Sequence, residues 1–192
     1  MYRSRPARTR DTRLTEDEVI ETALRLVEAE GTDRLSMRRL ADELSVTPMA
    51  IYHYVKSKEE LLLRVSASVL AQIGREDSGT WQERIHGRAL RTWEVLAQYP
   101  GLGAFLLDRP VAEVTAGGPN HVMELLREAG FDPETADLAY GTYHTYIYGL
   151  LAMEARFRPS RRSPEARRRL VEFGMRTWLA GLEVQLADPD RA

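Results

Sequence analysis

At 192 residues the chain is long enough for one large domain, or for a small head on a larger body, and either can bury a real core. Its 43% hydrophobic and 29% charged residues and a net charge of −2 exclude a largely disordered chain and argue against a nonspecific nucleic-acid coat protein. The absence of cysteine excludes disulfides, thiolate catalysis and Cys-ligated zinc.

Residues 1–14 read as a flexible basic arm, in which Arg3, Arg5, Arg8, Arg10 and Arg13 face a single Asp11. The arm has no apolar leader, and no uninterrupted apolar run approaches the roughly 18 residues that a membrane span needs. We expect a cytoplasmic protein without membrane contact.

A helix is predicted over 15–30. Thr15 opens a T-E-D-E capping box with Glu18, and Leu14 and Val19 flank it as an apolar staple. Val19, Ile20, Ala23, Leu24 and Val27 recur at helical spacing until Gly31 stops the run. Ser36 caps a short second helix with the apolar face Met37, Leu40, Ala41 and Leu44, and Thr47 caps a third with Pro48 at its first position. Ser45 and Val46 alone separate them. A further box, Ser57 to Glu60, opens a fourth helix that should fade near Gly74. Beyond Thr80 helical periods recur over about 81–98, 102–108, 119–129, 134–157 and 164–186, with prolines and glycines between them. The expected fold class is all-α, with about nine helices: three in a head and six in a body.

Two short helices two residues apart must share a small buried interface. Leu40, Leu44, Val46, Ile51 and Tyr54 fall on inward positions, and Ala41 falls where the helices cross. Thr47, Pro48, Ala50 and His53 remain outside, available to DNA. The runs Leu35 to Ala41 (LSMRRLA) and Val46 to Leu61 (VTPMAIYHYVKSKEEL) resemble the DNA-binding domain of the TetR (tetracycline-repressor) family, and the match is continuous over about 12–62. Ser45 departs from the glycine usual in that turn.

The resemblance implies a helix-turn-helix DNA-binding domain at 15–58 and an effector-binding and dimerisation domain at 59–192. It places helix 47–54 in the major groove, with Met37 and Arg38 on the preceding helix also on the DNA side. The Arg38 fork suits guanine O6 and N7, while Pro48, Met49 and Ala50 suit thymine methyls. Tyr52, Tyr54 and Lys58 match positions that hold phosphates, and His53 can do either job. The arginine arm either reaches the minor groove or flanking phosphates, or stays a solvated tail. The implied partners are a palindromic double-stranded operator, a second copy of the chain and a small-molecule effector of unknown identity.

Helix 134–157 is apolar almost all round and must be covered on two sides. Gly141, Thr145, Gly149 and Ala152 form a stripe of small residues on it. Helix 164–186 carries Gly174 and Gly181 beside Val171, Met175, Trp178 and Leu182. The resemblance implies that these two helices pair with their symmetry mates as a four-helix bundle. Trp93 and Phe105 are candidate walls of an effector pocket, His86, His121 and His144 its candidate polar contacts, and Tyr143 and Ile147 further lining. Scattered histidines define no metal site, and no cofactor is implied. The arginines from Arg156 to Arg169 read as a solvated loop balanced by local acids. No P-loop, G-x-S-x-G, H-E-x-x-H or dinucleotide fingerprint supports an enzyme. The alternative to a ligand-released repressor is a constitutive DNA-binding protein with a solid body. For a ligand to move the head, the helix from Ser57 to Ile73 is the expected lever, because it alone continues from head into body.

Overall fold

A computed structural model describes residues 14–75, 77–109, 120–156 and 163–187. Among them are nine helices and no strand: α1 Glu16–Glu30, α2 Met37–Leu44, α3 Pro48–Ile51, α4 Lys58–Ala71, α5 Trp81–Leu96, α6 Leu102–Leu107, α7 His121–Glu128, α8 Pro133–Arg156 and α9 Pro164–Ala187. No helix of the described residues is long and apolar enough to cross a membrane. The all-α class and the head-and-body plan stand as read from the sequence. The arginine arm and Arg158, Arg161 and Arg162 lie outside the described residues.

Local chemistry places the helix starts. The Thr15 box is complete, each partner satisfying the other's backbone N–H. Glu16, Asp17 and Glu18 add negative charge where the helix dipole favours it. The Ser57 box is only half formed. Ser57 accepts from the Glu60 N–H, but the Glu60 carboxylate accepts from the Lys56 N–H at 2.7 Å instead of from Ser57. Thr47 makes no side-chain cap, and α3 relies on Pro48. At Thr80 a second complete box, with Glu83, opens α5. Its T-x-x-E signature, Thr80 to Glu83, is the same as that at Thr15. Asn120, Asp132 and Ser163 cap α7, α8 and α9 by side-chain acceptance alone, without a reciprocal partner.

Packing follows the apolar stripes. In the head, Val19, Ala23 and Val27 of α1 meet Leu40 and Ala41 of α2 and Ile51 of α3, all fully buried. Helix α4 continues this core into the body through Leu61, Leu62, Val65 and Val69. In the body, α8 packs on α6, α7 and α5, and α9 lies along α5. Each fully buried leucine or isoleucine stabilises the fold by about 1.5–3 kcal/mol relative to exposure. Gly103 lets α6 lie against α8: a Cβ there would stand 2.4 Å from Leu151 Cβ.

Helix α4 is not the sole tie between head and body. The Thr32 N–H, just after α1, donates to the Pro100 carbonyl at 2.9 Å in the turn between α5 and α6. The expectation of a single lever is therefore corrected. The missed connection is a backbone contact between turns, which carries no side-chain pattern.

Candidate functional site

The first surface is built by the turn after α2. Ser45 adopts the left-handed conformation, φ 55 and ψ 41, and its N–H closes α2 on the carbonyls of Ala41 and Asp42. A non-glycine residue there costs about 1–2 kcal/mol. The turn aims α3 so that Ile51 is buried while Thr47, Pro48, Met49, Tyr52 and His53 are exposed, Met49 by 68%. Ala50 is half-exposed. Met49 and Tyr52, the large apolar side chains of α3 open to water, share this outward face with Thr47, Pro48 and His53.

The flanking residues divide. Arg38 is exposed and has no carboxylate partner among the described residues. Arg39 is held by Glu30 at 2.9 Å and Glu43 at 3.0 Å. Three of the sequence-derived contacts are half-buried. Met37 is half-buried against the head core. Tyr54 donates its hydroxyl proton to the Leu14 carbonyl and packs its ring on the core, so that proton is not available to a phosphate. Lys58 is half-buried and lines a cleft of about 720 Å³ at the head–body junction, with Thr32, Glu59, Phe105 and Asp108.

The second site lies inside the body, where α5, α7 and α8 pack on one another. Seven buried polar atoms there have no hydrogen-bond partner among the described residues: His86 Nε2, Trp93 Nε1, Asn120 Nδ2, both ring nitrogens of His121, the Tyr143 hydroxyl and His144 Nε2. His121 Nδ1 lies 3.5 Å from Glu124, and the Thr92 and Tyr140 hydroxyls stand close enough to Tyr143 and Asn120 to act on them. Trp93, His121, Tyr143 and His144 are each 6% exposed or less. Each orphaned group costs about 1–3 kcal/mol, and natural cores hold few of them. Aromatic rings frame them: Tyr140 stacks on Tyr143 at 6.0 Å, and His144 lies 4.4 Å from Tyr148.

Burial keeps these groups neutral. It pushes the Tyr143 phenol up to about 12 and that of Tyr148 further, and it lowers His121 and His144 below the usual imidazole range. Five of the candidate pocket residues thus share these packed helices, and Ile147 supplies fully buried apolar lining. Phe105 does not join them. It sits on α6 beneath the Arg109 guanidinium, 4.6 Å away, facing the junctional cleft. Tyr140, Tyr148 and Asn120 were missed, although Tyr140, His144 and Tyr148 at steps of four mark one face of α8.

A third surface runs along α8 and α9. Gly141 and Thr145 are exposed, Gly149 and Ala152 half-exposed, and a Cβ at Gly141, Gly149 or Gly181 would meet nothing within 4 Å. Leu138, Met153, Phe173 and Val184 stand open to water beside them, each at least 53% exposed. Gly174 and Trp178 are used within the chain. A Cβ at Gly174 would stand 2.1 Å from the Tyr146 hydroxyl, and Trp178 Nε1 donates to Thr142 at 2.8 Å. Among the described arginines after α8, Arg167 pairs with Glu154 at 3.4 Å, and Arg168 with Glu172 at 2.9 Å and with Glu94.

Residues 19–65 match the family model for bacterial regulatory proteins of the tetR family, and residues 73–177 match that for the tetracyclin repressor-like C-terminal domain. The chain is 34% identical over 138 residues to the HTH-type transcriptional repressor DrrR1 of Streptomyces coeruleorubidus, a match covering 68% of this chain and 50% of that protein. The chain therefore spans about half the length of that curated relative. The crystal structure of BioQ with its double-stranded DNA operator is similar at a TM-score of 0.70 and 25% identity, covering 88% of this chain and 98% of that one. That of ActR from Streptomyces coelicolor in complex with (S)-DNPA is similar at a TM-score of 0.73 and 25% identity, covering 89% and 98%.

Proposed function

Because the chain belongs to the TetR family of bacterial transcriptional regulators, we propose that it is a homodimeric repressor that binds a palindromic operator and is released by a small-molecule effector. As a member of that family it is a DNA-binding regulator and not an enzyme. The observation that carries the reading is the exposed face of α3 and its flanks, with Met49 and Tyr52 open to water and Arg38 free of any carboxylate among the described residues. The arm at 1–14 and the head at 15–58 form the DNA-binding part, and 59–192 the effector and dimer part. Arg38, Thr47, Pro48, Met49, Ala50, Tyr52 and His53 are the DNA contacts.

The orphaned polar atoms between α5, α7 and α8 support an effector core of His86, Trp93, His121, Tyr143, His144 and Ile147. A constitutive DNA-binding protein would gain nothing from these unpaired groups. The face formed by Gly141, Thr145, Gly149, Ala152 and Gly181, with its exposed apolar neighbours, supports pairing of α8 and α9 with a second copy. BioQ is solved on its operator and ActR with a small molecule, which supports both halves of the reading.

The test begins with selection of bound sequences from random duplex DNA, which should yield a two-fold symmetric site with half-sites one helical turn apart or a multiple of it. A thermal-shift screen of aromatic compounds then supplies ligands, and each is titrated with and without that DNA. A hundredfold release requires about 2.7 kcal/mol of coupling, and operator must weaken the ligand by the same factor. Ligands whose affinity ignores the operator would leave the constitutive reading in place.

A further inference from the structure

Met49 is the large apolar side chain most open to water among the described residues, at 68%, and it stands on the outward face of α3. It takes no part in the head core, whereas Met37 of α2 packs there. The chain has six methionines and no cysteine. Of the other described methionines, Met37 is half-buried, Met123 is 9% exposed and Met175 is fully buried. Met153 is 60% exposed, but on the face that pairing with a second copy would cover. Met1 lies outside the described residues.

An oxidant that reaches this chain meets no thiol, so the accessible thioethers are its sulfur targets. Met49 is the described thioether that a paired chain leaves open. The reaction balances between the two reactants. A lone pair on Met49 Sδ attacks one oxygen of hydrogen peroxide, and the S–O bond forms as the O–O bond breaks. The departing hydroxide takes the proton of the transferred oxygen and leaves as water. Sulfur gives up two electrons and the peroxide accepts them.

The product replaces a flexible apolar end by a polar one that carries a strong acceptor oxygen and no donor. Against a thymine methyl that oxygen is buried without a partner, and the thymine O4, itself an acceptor, repels it. The helix is undisturbed, because the side chain holds nothing in the core.

We propose that Met49 is an oxidation switch: a peroxide converts it to the sulfoxide and thereby releases the operator with the effector site empty, and reduction of the sulfoxide restores binding. The inference rests on the DNA-binding reading of α3 above and adds to it a covalent signal, with peroxide as the reactant.

The full chain is treated with hydrogen peroxide and followed by peptide mass mapping, operator binding by fluorescence anisotropy, and far-ultraviolet circular dichroism. One oxygen should appear at Met49 before Met37, Met123 or Met175. Operator affinity should fall in step with it by about tenfold or more, the scale of a buried unpaired polar group, while helix content stays constant. Methionine sulfoxide reductases A and B together, one for each sulfoxide epimer, should restore the affinity. Met49→Leu should show the same affinity before and after treatment, whatever that affinity is, which removes Met1 and Met153 as the source of the loss. Operator bound beforehand should protect Met49 from oxidation, a readout that needs no variant. Where Met49→Leu binds too weakly to measure, the reductase and protection readouts decide. Full affinity with Met49 oxidised, the same loss in Met49→Leu, or no protection by operator overturns the switch and leaves the DNA-binding reading intact. If the untreated chain selects no duplex sequence, both fall.

Discussion

The Thr32 N–H bonded to the Pro100 carbonyl at 2.9 Å fastens the turn after α1 to the turn before α6, with Gly101 at φ +87 directly beneath. A Cβ at Gly101 would stand 2.1 Å from Thr32 Oγ1. Gly101→Ala should therefore destabilise the chain through the strained φ, about 1 kcal/mol, and through the contact on top of it. In a Thr32→Ala background the Oγ1 contact vanishes, leaving the strain and a milder approach to the residue 32 Cβ at 3.3 Å. Urea unfolding of the four chains checks this; the same loss in both backgrounds would mean that the two turns separate freely.

Arg38 and Arg39 are neighbours with opposite expectations. Arg38→Ala should weaken operator binding by about 1–3 kcal/mol and relax preference at one base pair per half-site. Arg39→Ala should leave base preference alone and lower head stability slightly, because its guanidinium is held by Glu30 and Glu43 at a partly exposed site where such pairs contribute up to about 1 kcal/mol. Binding to operator variants by fluorescence anisotropy separates them. An equal loss on operator and random DNA for Arg38→Ala would reassign it to phosphate.

Glycines on α8 and α9 divide the same way. Gly149→Leu has open space in its own chain, so the protomer should fold while the dimer dissociates. Gly174→Ala presses on the Tyr146 hydroxyl and should instead destabilise the protomer, by about 1–3 kcal/mol for an overpacked contact. Sedimentation velocity and thermal melts read the two outcomes. A stable dimer of Gly149→Leu would move the interface off α8.

Stability should fall with acid in two windows. Burial depresses His121 and His144 in the folded chain, so the unfolded chain takes up protons first, near its ordinary value of about pH 6.5. Stability is then complete above that value and lost as pH drops toward the folded values. Glu60 and Glu124 are held below the usual carboxylate range by the Lys56 N–H and by Arg75 respectively, and their contribution disappears only below about pH 4.5. Thermal melts from about pH 7.5 to 5.5 should show the first loss, and His144→Gln should flatten it. An unchanged slope in that variant would leave His121 as its source.

What could be read from the sequence depended on whether chemistry was local. Capping residues announce helix starts because the side chain and the N–H it satisfies lie three residues apart, as at Thr15 and Ser36. The outward face of α3 was legible for a related reason, since the helix periods fix which side chains a pair of short helices must bury. The further surroundings of Tyr54 and Lys58, the Leu14 carbonyl and the junctional cleft, could not be read because they come from distant parts of the chain. The effector core was half legible. The aromatic and histidine members of the proposed core carry a pattern along α8, whereas the members from α5 and from the start of α7 join them only through tertiary packing.

The open face of α8 and α9 also ties regulation to gene dosage. Under the pairing proposed above, Leu138, Met153, Phe173 and Val184 stay in water until a second chain covers them, and the DNA-binding species would form to an extent set by the square of protomer supply. When protomers are scarcer than their dissociation constant, halving transcription of the regulator's own gene would leave a quarter of the operator-competent form. A promoter under its control would then respond steeply to small changes in regulator copy number, with no change in effector at all.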